Sequence, residues 1–307
     1  MEYVVFGAGG TGGCLAGFLA RAGFPVTVIA RGAQLEAIRE NGLAVRSARV
    51  GDFTVPVAAC AEADYRGCPD VIFVCVKSYS LSDAAGFVNR AAGPDTLVVP
   101  ILNGFGTGAV LQASCGDKTV LDGCIYIMSM IESPGVIRQS APIFRVFFGF
   151  REAQDRRLEP KALRLAEELS LAGIHAVYTG DILREELKKF SFVSPMGAAC
   201  LYLGARGRDF KEAGPAQELF FSLVREAEAL GRAMGITCGE DLLAVNRKIM
   251  LGLADDATTS MQRDVLRGHV SEIDGLVYRV PRLAARYGLR LPNYERIAAW
   301  AAEKGIR

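Results

Sequence analysis

The first residues with the types and spacing for chemistry are Gly7-Ala8-Gly9-Gly10-Thr11-Gly12. They follow an apolar run that reads as a strand, Tyr3–Phe6, and open an amphipathic run that reads as a helix, Thr11–Ala22. In that context each glycine has a task. Gly7 permits a tight turn, Gly9 lets backbone approach a pyrophosphate, and Gly12 lets helix and strand pack closely. Free N–H groups at the helix start then hold the anion. A Gly-rich turn that binds nothing has the same spelling, and the strand–turn–helix setting favours the dinucleotide. NAD-preferring folds place an Asp or Glu about 20 residues past such a loop, on the ribose. Here Val26–Ala30 runs into Arg31, with no acid. A planar guanidinium suits a 2′-phosphate, so the expected cofactor is NADP(H), against the reading of Arg31 as a surface side chain opening a loop.

Two more polar residues end apolar runs. Lys77 follows Val71–Val76, and Asn103 follows Leu97–Leu102. In open α/β sheets ligands bind outside such strand ends. Both residues are therefore candidates, although a solvated strand end and an ordinary Asn-Gly turn explain them equally. Further on, Leu187–Phe192 carries Lys188 and Lys189, about 100° apart on a helix. Ser260, Asp264, Gly268 and Glu272 recur every four residues on what reads as one helix, Thr259–Tyr287, with Thr259-x-x-Gln262 as a capping box. That box would put the Ser260 hydroxyl at a helix start, able to hold an anion; a plain polar surface helix fits the same letters. His269, His175 and Tyr126 are read as bystanders.

Composition narrows the classes. Among 307 residues, 35 Lys and Arg face 34 Asp and Glu, and half the residues are hydrophobic. This excludes a disordered chain, and the absence of basic excess argues against a nucleic-acid partner. The apolar runs are far shorter than the roughly 20 residues of a membrane-spanning helix. The start, Met1-Glu2-Tyr3, has no basic leader, so no signal peptide is expected. Eight cysteines without a C-x-x-C pair fit buried thiols in a reducing cytosol, and two histidines leave little for a metal site, so none is expected.

The elements that must position these residues change character near Thr179-Gly180-Asp181. Before it, strands alternate with helices: Val26–Ala30, a hairpin over Leu43–Val57, Val71–Val76, a helix over Ser80–Ala92 with Ser80-x-x-Asp83 as cap, Thr96–Leu102, strand candidates Thr119–Ile131 and Ile143–Phe148, a helix over Asp155–Ala172, and a last strand Ile174–Tyr178. After it the signals are helical, and Pro195 should kink the first helix. The expected fold is α/β: a Rossmann-like doubly wound sheet over residues 1–180, followed by an all-α domain over residues 181–307.

Together these motifs resemble the ketopantoate reductase (2-dehydropantoate 2-reductase) family, from Tyr3 to about Tyr294. The carriers are the glycine loop, Val76-Lys77, Leu102-Asn103-Gly104, Lys189-Phe190, Thr259-Ser260-Met261 and Glu272-Ile273-Asp274, with Gly288-Leu289-x-Leu291-Pro292 closing the run. The resemblance implies NADPH-dependent reduction of 2-dehydropantoate to (R)-pantoate, in pantothenate and coenzyme A synthesis. It gives the pyrophosphate to the glycine loop, the adenosine end to Arg31 and Lys77, and the nicotinamide and substrate to Asn103. Lys189 is then the catalytic lysine, Ser260 holds the substrate carboxylate, and Glu272 accepts the substrate hydroxyl and orients the lysine. The chemistry agrees, because reduction of a 2-oxo acid needs a positioned proton donor for the developing alkoxide.

The pattern departs from the family at three places. Val193 and Gly197, four and eight residues past Lys189, stand where the family's best-known members carry Asn, and the Gly204–Arg208 loop lacks an Asn found there, with Arg206 or Arg208 as a substitute. A reductase of another branched 2-oxo acid, or a non-catalytic NADP-binding sensor, are the alternatives. The expected partner is a small-molecule 2-oxo acid, with no membrane, and the chain a monomer or homodimer.

Overall fold

Tyr3–Phe6 is apolar and buried at every residue, as a strand covered on both faces must be, and forms β1. The glycine loop leads into α1 (Gly10–Arg21), followed by β2 (Val26–Ile29), α2 (Gly32–Asn41), β3 (Leu43–Ser47), β4 (Phe53–Val55), β5 (Ala58–Cys60), β6 (Val71–Val74), α3 (Leu81–Ala91), β7 (Leu97–Pro100), α4 (Thr107–Gln112), β8 (Thr119–Val120), β9 (Asp122–Ser133), β10 (Val136–Gly149), α5 (Glu159–Leu171) and β11 (His175–Tyr178). The computed structural model describes residues 1–307 and divides into two compact units. The first comprises Met1–Val76, Ser80–Leu102 and Gly106–Ile182; the second comprises Lys77–Tyr79, Asn103–Phe105 and Leu183–Arg307.

Within the first unit, six strands pair in the order β5-β2-β1-β6-β7-β8, all parallel. This is the expected doubly wound sheet. Its order reverses at β1 and β6, the switch point where such sheets bind ligands. The later strands do not extend it. β11, β10, β3 and β4 form a second, mixed sheet, to which β9 adds antiparallel. Helix α1 packs against strands of both sheets, so Gly12 through Leu19 are all buried. Gly13 and Gly17 let the second sheet come close: a Cβ at either would press on Ile137 or Val45. The reading of Leu43–Val57 as a hairpin holds, with β3 and β4 antiparallel. The expected Ser80 cap does not form, since its side chain makes no capping bond.

The second unit is helical: α6 (Ile182–Leu203), α7 (Pro215–Ala233), α8 (Leu242–Leu251), α9 (Ser260–Leu266), α10 (Arg279–Ala285) and α11 (Pro292–Glu303), with a π-helical turn over Asp274–Tyr278. Its core includes Leu187, Phe190, Phe220, Leu223, Leu276, Val277 and Tyr294. The single helix expected over Thr259–Tyr287 is three pieces. Gly268 stops α9: at φ +70° its N–H bonds Val265 O, and His269 N–H bonds Asp264 O at 2.9 Å, the two bonds of a Schellman ending. With the helix ended at Gly268, the expected face through Ser260, Asp264, Gly268 and Glu272 does not form. The Thr259 cap is half formed. Its hydroxyl accepts from Gln262 N at 3.2 Å, but the Gln262 amide turns away to Cys200 O and Ala205 O. No helix is long and apolar enough to cross a membrane.

Candidate active site

The glycine loop has the geometry a dinucleotide requires. Gly7 sits at φ +106°, a conformation open to glycine and strained for other residues. A Cβ on Gly12 would collide with the Gly7 carbonyl, and one on Gly10 with the backbone of Met130. Gly9 differs, because its backbone is ordinary and a Cβ there would meet nothing within 4 Å. The loop is therefore packed on one side and open at Gly9. The N-terminus of the 12-residue α1 has no side-chain cap and no acid in its first turn. Gln34, absent from the sequence reading, braces the loop by donating to Ala8 O at 2.9 Å while accepting from Gly135 N. Arg31 is exposed at the end of β2 and precedes α2. Open backbone and an uncapped helix start leave room for a dinucleotide's phosphates.

Four candidates from distant parts of the chain meet in the second unit. Asn103 belongs there because Phe105, two residues on, buries its ring near Phe190 at 5.8 Å. Lys189, on α6, donates from Nζ to Asn103 Oδ1 at 3.0 Å. Asn103 Nδ2 in turn donates to Glu272 Oε2 at 3.1 Å. An amide has one oxygen and one nitrogen, so a lysine on one side and a carboxylate on the other fix its orientation. Lys189 and Glu272 are 6% and 4% exposed. Burial pushes the Glu272 carboxyl above the usual carboxylate range; the Asn103 bond and the charges of Lys77 and Lys189 oppose this, and Asp264 reinforces it. Lys77 makes an ion pair with Asp264.

The other residues divide more plainly. Lys188, the rival of Lys189, is held by Glu240 at 2.8 Å and Glu185 at 3.2 Å, which raise its ammonium above the ordinary lysine value. Ser260 is the exposed first residue of α9, and its hydroxyl bonds none of these groups. His269 is exposed, and His175 opens β11 in the first unit, also exposed. Tyr126 lies edge-on to Phe147 in the first unit. Val193 and Gly197 continue α6 one and two turns past Lys189, and a Cβ on Gly197 would touch only the Met261 methyl. Sequence reading missed Asp264 as a partner of Lys77, because the pairing joins residues 187 positions apart.

Known proteins align along nearly the whole chain. Residues 3–152 match the family described as ketopantoate reductase PanE/ApbA, and residues 181–305 match its C-terminal counterpart. The chain is 30% identical over 322 residues to a 2-dehydropantoate 2-reductase of Mesorhizobium japonicum, covering 97% of this chain and 96% of that one. Among solved structures, a 2-dehydropantoate 2-reductase of Porphyromonas gingivalis W83 aligns with a TM-score of 0.82 at 27% identity, covering 98% of this chain and 99% of that one. A D-mandelate dehydrogenase solved with NADH and anilino(oxo)acetate shares the fold, with a TM-score of 0.87 at 19% identity and coverage of 99% and 98%. With both halves matched and a relative at this identity aligned end to end, the chain belongs to the ketopantoate reductase PanE/ApbA family of oxidoreductases.

Proposed function

We propose that this protein reduces 2-dehydropantoate with NADPH, residues 1–180 binding the dinucleotide and residues 181–307 handling the 2-oxo acid, aided by Lys77 and Asn103 from the first half of the chain. The observation that carries this is the Lys189–Asn103–Glu272 array, a buried proton donor and carboxylate joined through one amide. NADPH, when bound, supplies the hydride to the keto carbon. Lys189 Nζ gives its proton to the keto oxygen as negative charge develops there. Asn103 Oδ1 aims that ammonium. Glu272 receives the Asn103 N–H on Oε2 and offers Oε1 to the hydroxyl that forms. Ser260 Oγ donates to the substrate carboxylate. Gly7, Ala8, Gly9, Gly10, Thr11 and Gly12 hold the pyrophosphate with backbone N–H groups, and Arg31 takes the 2′-phosphate. Lys77 serves the adenosine end, exchanging Asp264 for phosphate.

A second reading keeps the reaction and changes the acid. Val193 and Gly197 make the α6 face beyond Lys189 apolar. The 4-hydroxyl of 2-dehydropantoate gains no partner from either, so a 2-oxo acid with a purely hydrocarbon side chain suits that face. The test is NADPH oxidation, followed by absorbance, with 2-dehydropantoate beside a panel of branched and aromatic 2-oxo acids, each repeated with NADH. The proposal expects the highest kcat/KM for 2-dehydropantoate with NADPH. A hydrocarbon 2-oxo acid ahead by tenfold would move the assignment to the second reading, and NADPH binding without turnover of any acid would reject both.

A further inference from the structure

Pro195 lies six residues past Lys189 inside α6, which stays helical through it. Proline has no N–H, so the carbonyl of Ser191 loses its intrahelical partner. Asn246 of α8, 1% exposed, supplies the bond instead: Nδ2 donates to Ser191 O at 3.0 Å and to Ser191 Oγ at 2.9 Å. The neighbouring Ser194, fully buried, reaches further. Its Oγ lies 2.6 Å from Leu276 O and 2.6 Å from Tyr294 Oη. A carbonyl only accepts, so the one Ser194 proton goes to Leu276 and Tyr294 donates to Ser194. Leu276 belongs to the π-helical turn, and its own N–H bonds Glu272 O at 3.1 Å. Two hydrogen bonds in series thus run from the helix bearing Lys189 to the backbone of Glu272. Tyr294 closes the joint and is itself fixed, its backbone N–H bonding Glu226 Oε2 at 3.1 Å.

We propose that Ser194 is a positioning residue, a strut from α6 to the π-helical turn that sets the spacing of Lys189, Asn103 and Glu272. The inference rests on the proposed role of that array. Every member of the strut is buried, so it has no water to substitute for a lost bond. Without the Ser194 hydroxyl, Leu276 O and Tyr294 Oη lose their partner together, and the two segments part or shift. Displacements near 1 Å cost on the order of 100-fold in rate.

The test compares Ser194→Ala, which cuts the strut, with Tyr294→Phe, which leaves the Ser194–Leu276 bond. Both are measured at a temperature where melting shows them folded; if Ser194→Ala does not fold, Ser194→Cys, similar in size with a weak S–H donor, replaces it. One readout is the side-chain amide resonance of Asn103, assigned by its loss in Asn103→Ala and followed across pH as Glu272 titrates. The other is kcat with KM. Cutting the strut is expected to move the Asn103 resonance and the titration midpoint and to lower kcat about 10- to 100-fold, with KM for NADPH unchanged; Tyr294→Phe should stay within about threefold of wild type. Wild-type Asn103 shifts and midpoint in the strut variant would overturn the proposal. The resonance needs no turnover, so a wild type that reduces no 2-oxo acid would refute the proposed function while the strut is still decided.

Discussion

Glu272 gathers the most physics of any single residue. Its carboxyl is raised above the usual range by burial, against the Asn103 bond and two lysine charges. A carboxyl whose folded pKa exceeds its unfolded one favours the fold below the unfolded value, and that contribution is lost as pH rises through the folded value. Glu272→Gln removes the charge and keeps the shape. It is expected to melt above wild type at pH 8 and to show no gain at pH 4. The proposed mechanism needs the carboxylate, so kcat/KM of the wild type should fall on the acid side with a midpoint above the ordinary carboxylate value. Glu272→Gln should lower kcat/KM about 10- to 100-fold, as for a lost bond to a charged group, and remove that limb. A pH profile identical in both proteins would show that Glu272 plays no part. Residue types were the most legible level of the sequence: the glycine loop and Arg31 could be picked by chemistry, while Lys189 and Glu272 stood out only through the family resemblance. What could not be read was who pairs with whom. Asn103 stands between lysine and carboxylate beside the contact of Phe105 with Phe190, residues 85 positions apart with no local trace of their pairing.

At the scale of elements, local spelling succeeded where one signal acted and failed where two competed. Continuous apolar runs became strands at β1, β6 and β7, buried at every residue as parallel strands covered on both faces are. The span from Thr259 to Tyr287 has helical periodicity throughout, but Gly268 terminates α9 in a left-handed conformation that costs glycine nothing. A substitution with any L side chain must pay that strain. Gly268→Ala is therefore expected to lower stability by about 1 kcal/mol, measured by urea denaturation, whereas a helix running through Gly268 would have gained from alanine. Pro195 shows the reverse case. The helix α6 runs on through Pro195, and Asn246 takes the freed carbonyl of Ser191. Nothing in the neighbourhood of Asn246 announces this, since its partner lies 55 residues away.

For the molecule as a whole, the alternation of strands and helices was enough to anticipate the doubly wound sheet, and its loss after residue 181 the helical second half. The second sheet of the first unit was hidden, because β10 pairs with β3 and β11, strands far from it in the chain, and such pairing leaves no local trace. Two short segments, Lys77–Tyr79 and Asn103–Phe105, leave the first unit for the second, and they carry two of the candidate residues. The division of labour follows: the glycine loop and Arg31 lie in one unit, while Lys189, Asn103 and Glu272 lie in the other. Removing Lys189 alone should therefore separate chemistry from dinucleotide binding. The most direct measurement is kcat/KM for 2-dehydropantoate and the Kd for NADPH on the same preparations of wild type and Lys189→Ala. In Lys189→Ala, kcat/KM is expected to fall about 100- to 10,000-fold, with Kd changed by less than about threefold. A Lys189→Ala protein within about threefold of wild type in kcat/KM would contradict the assignment of Lys189 as proton donor.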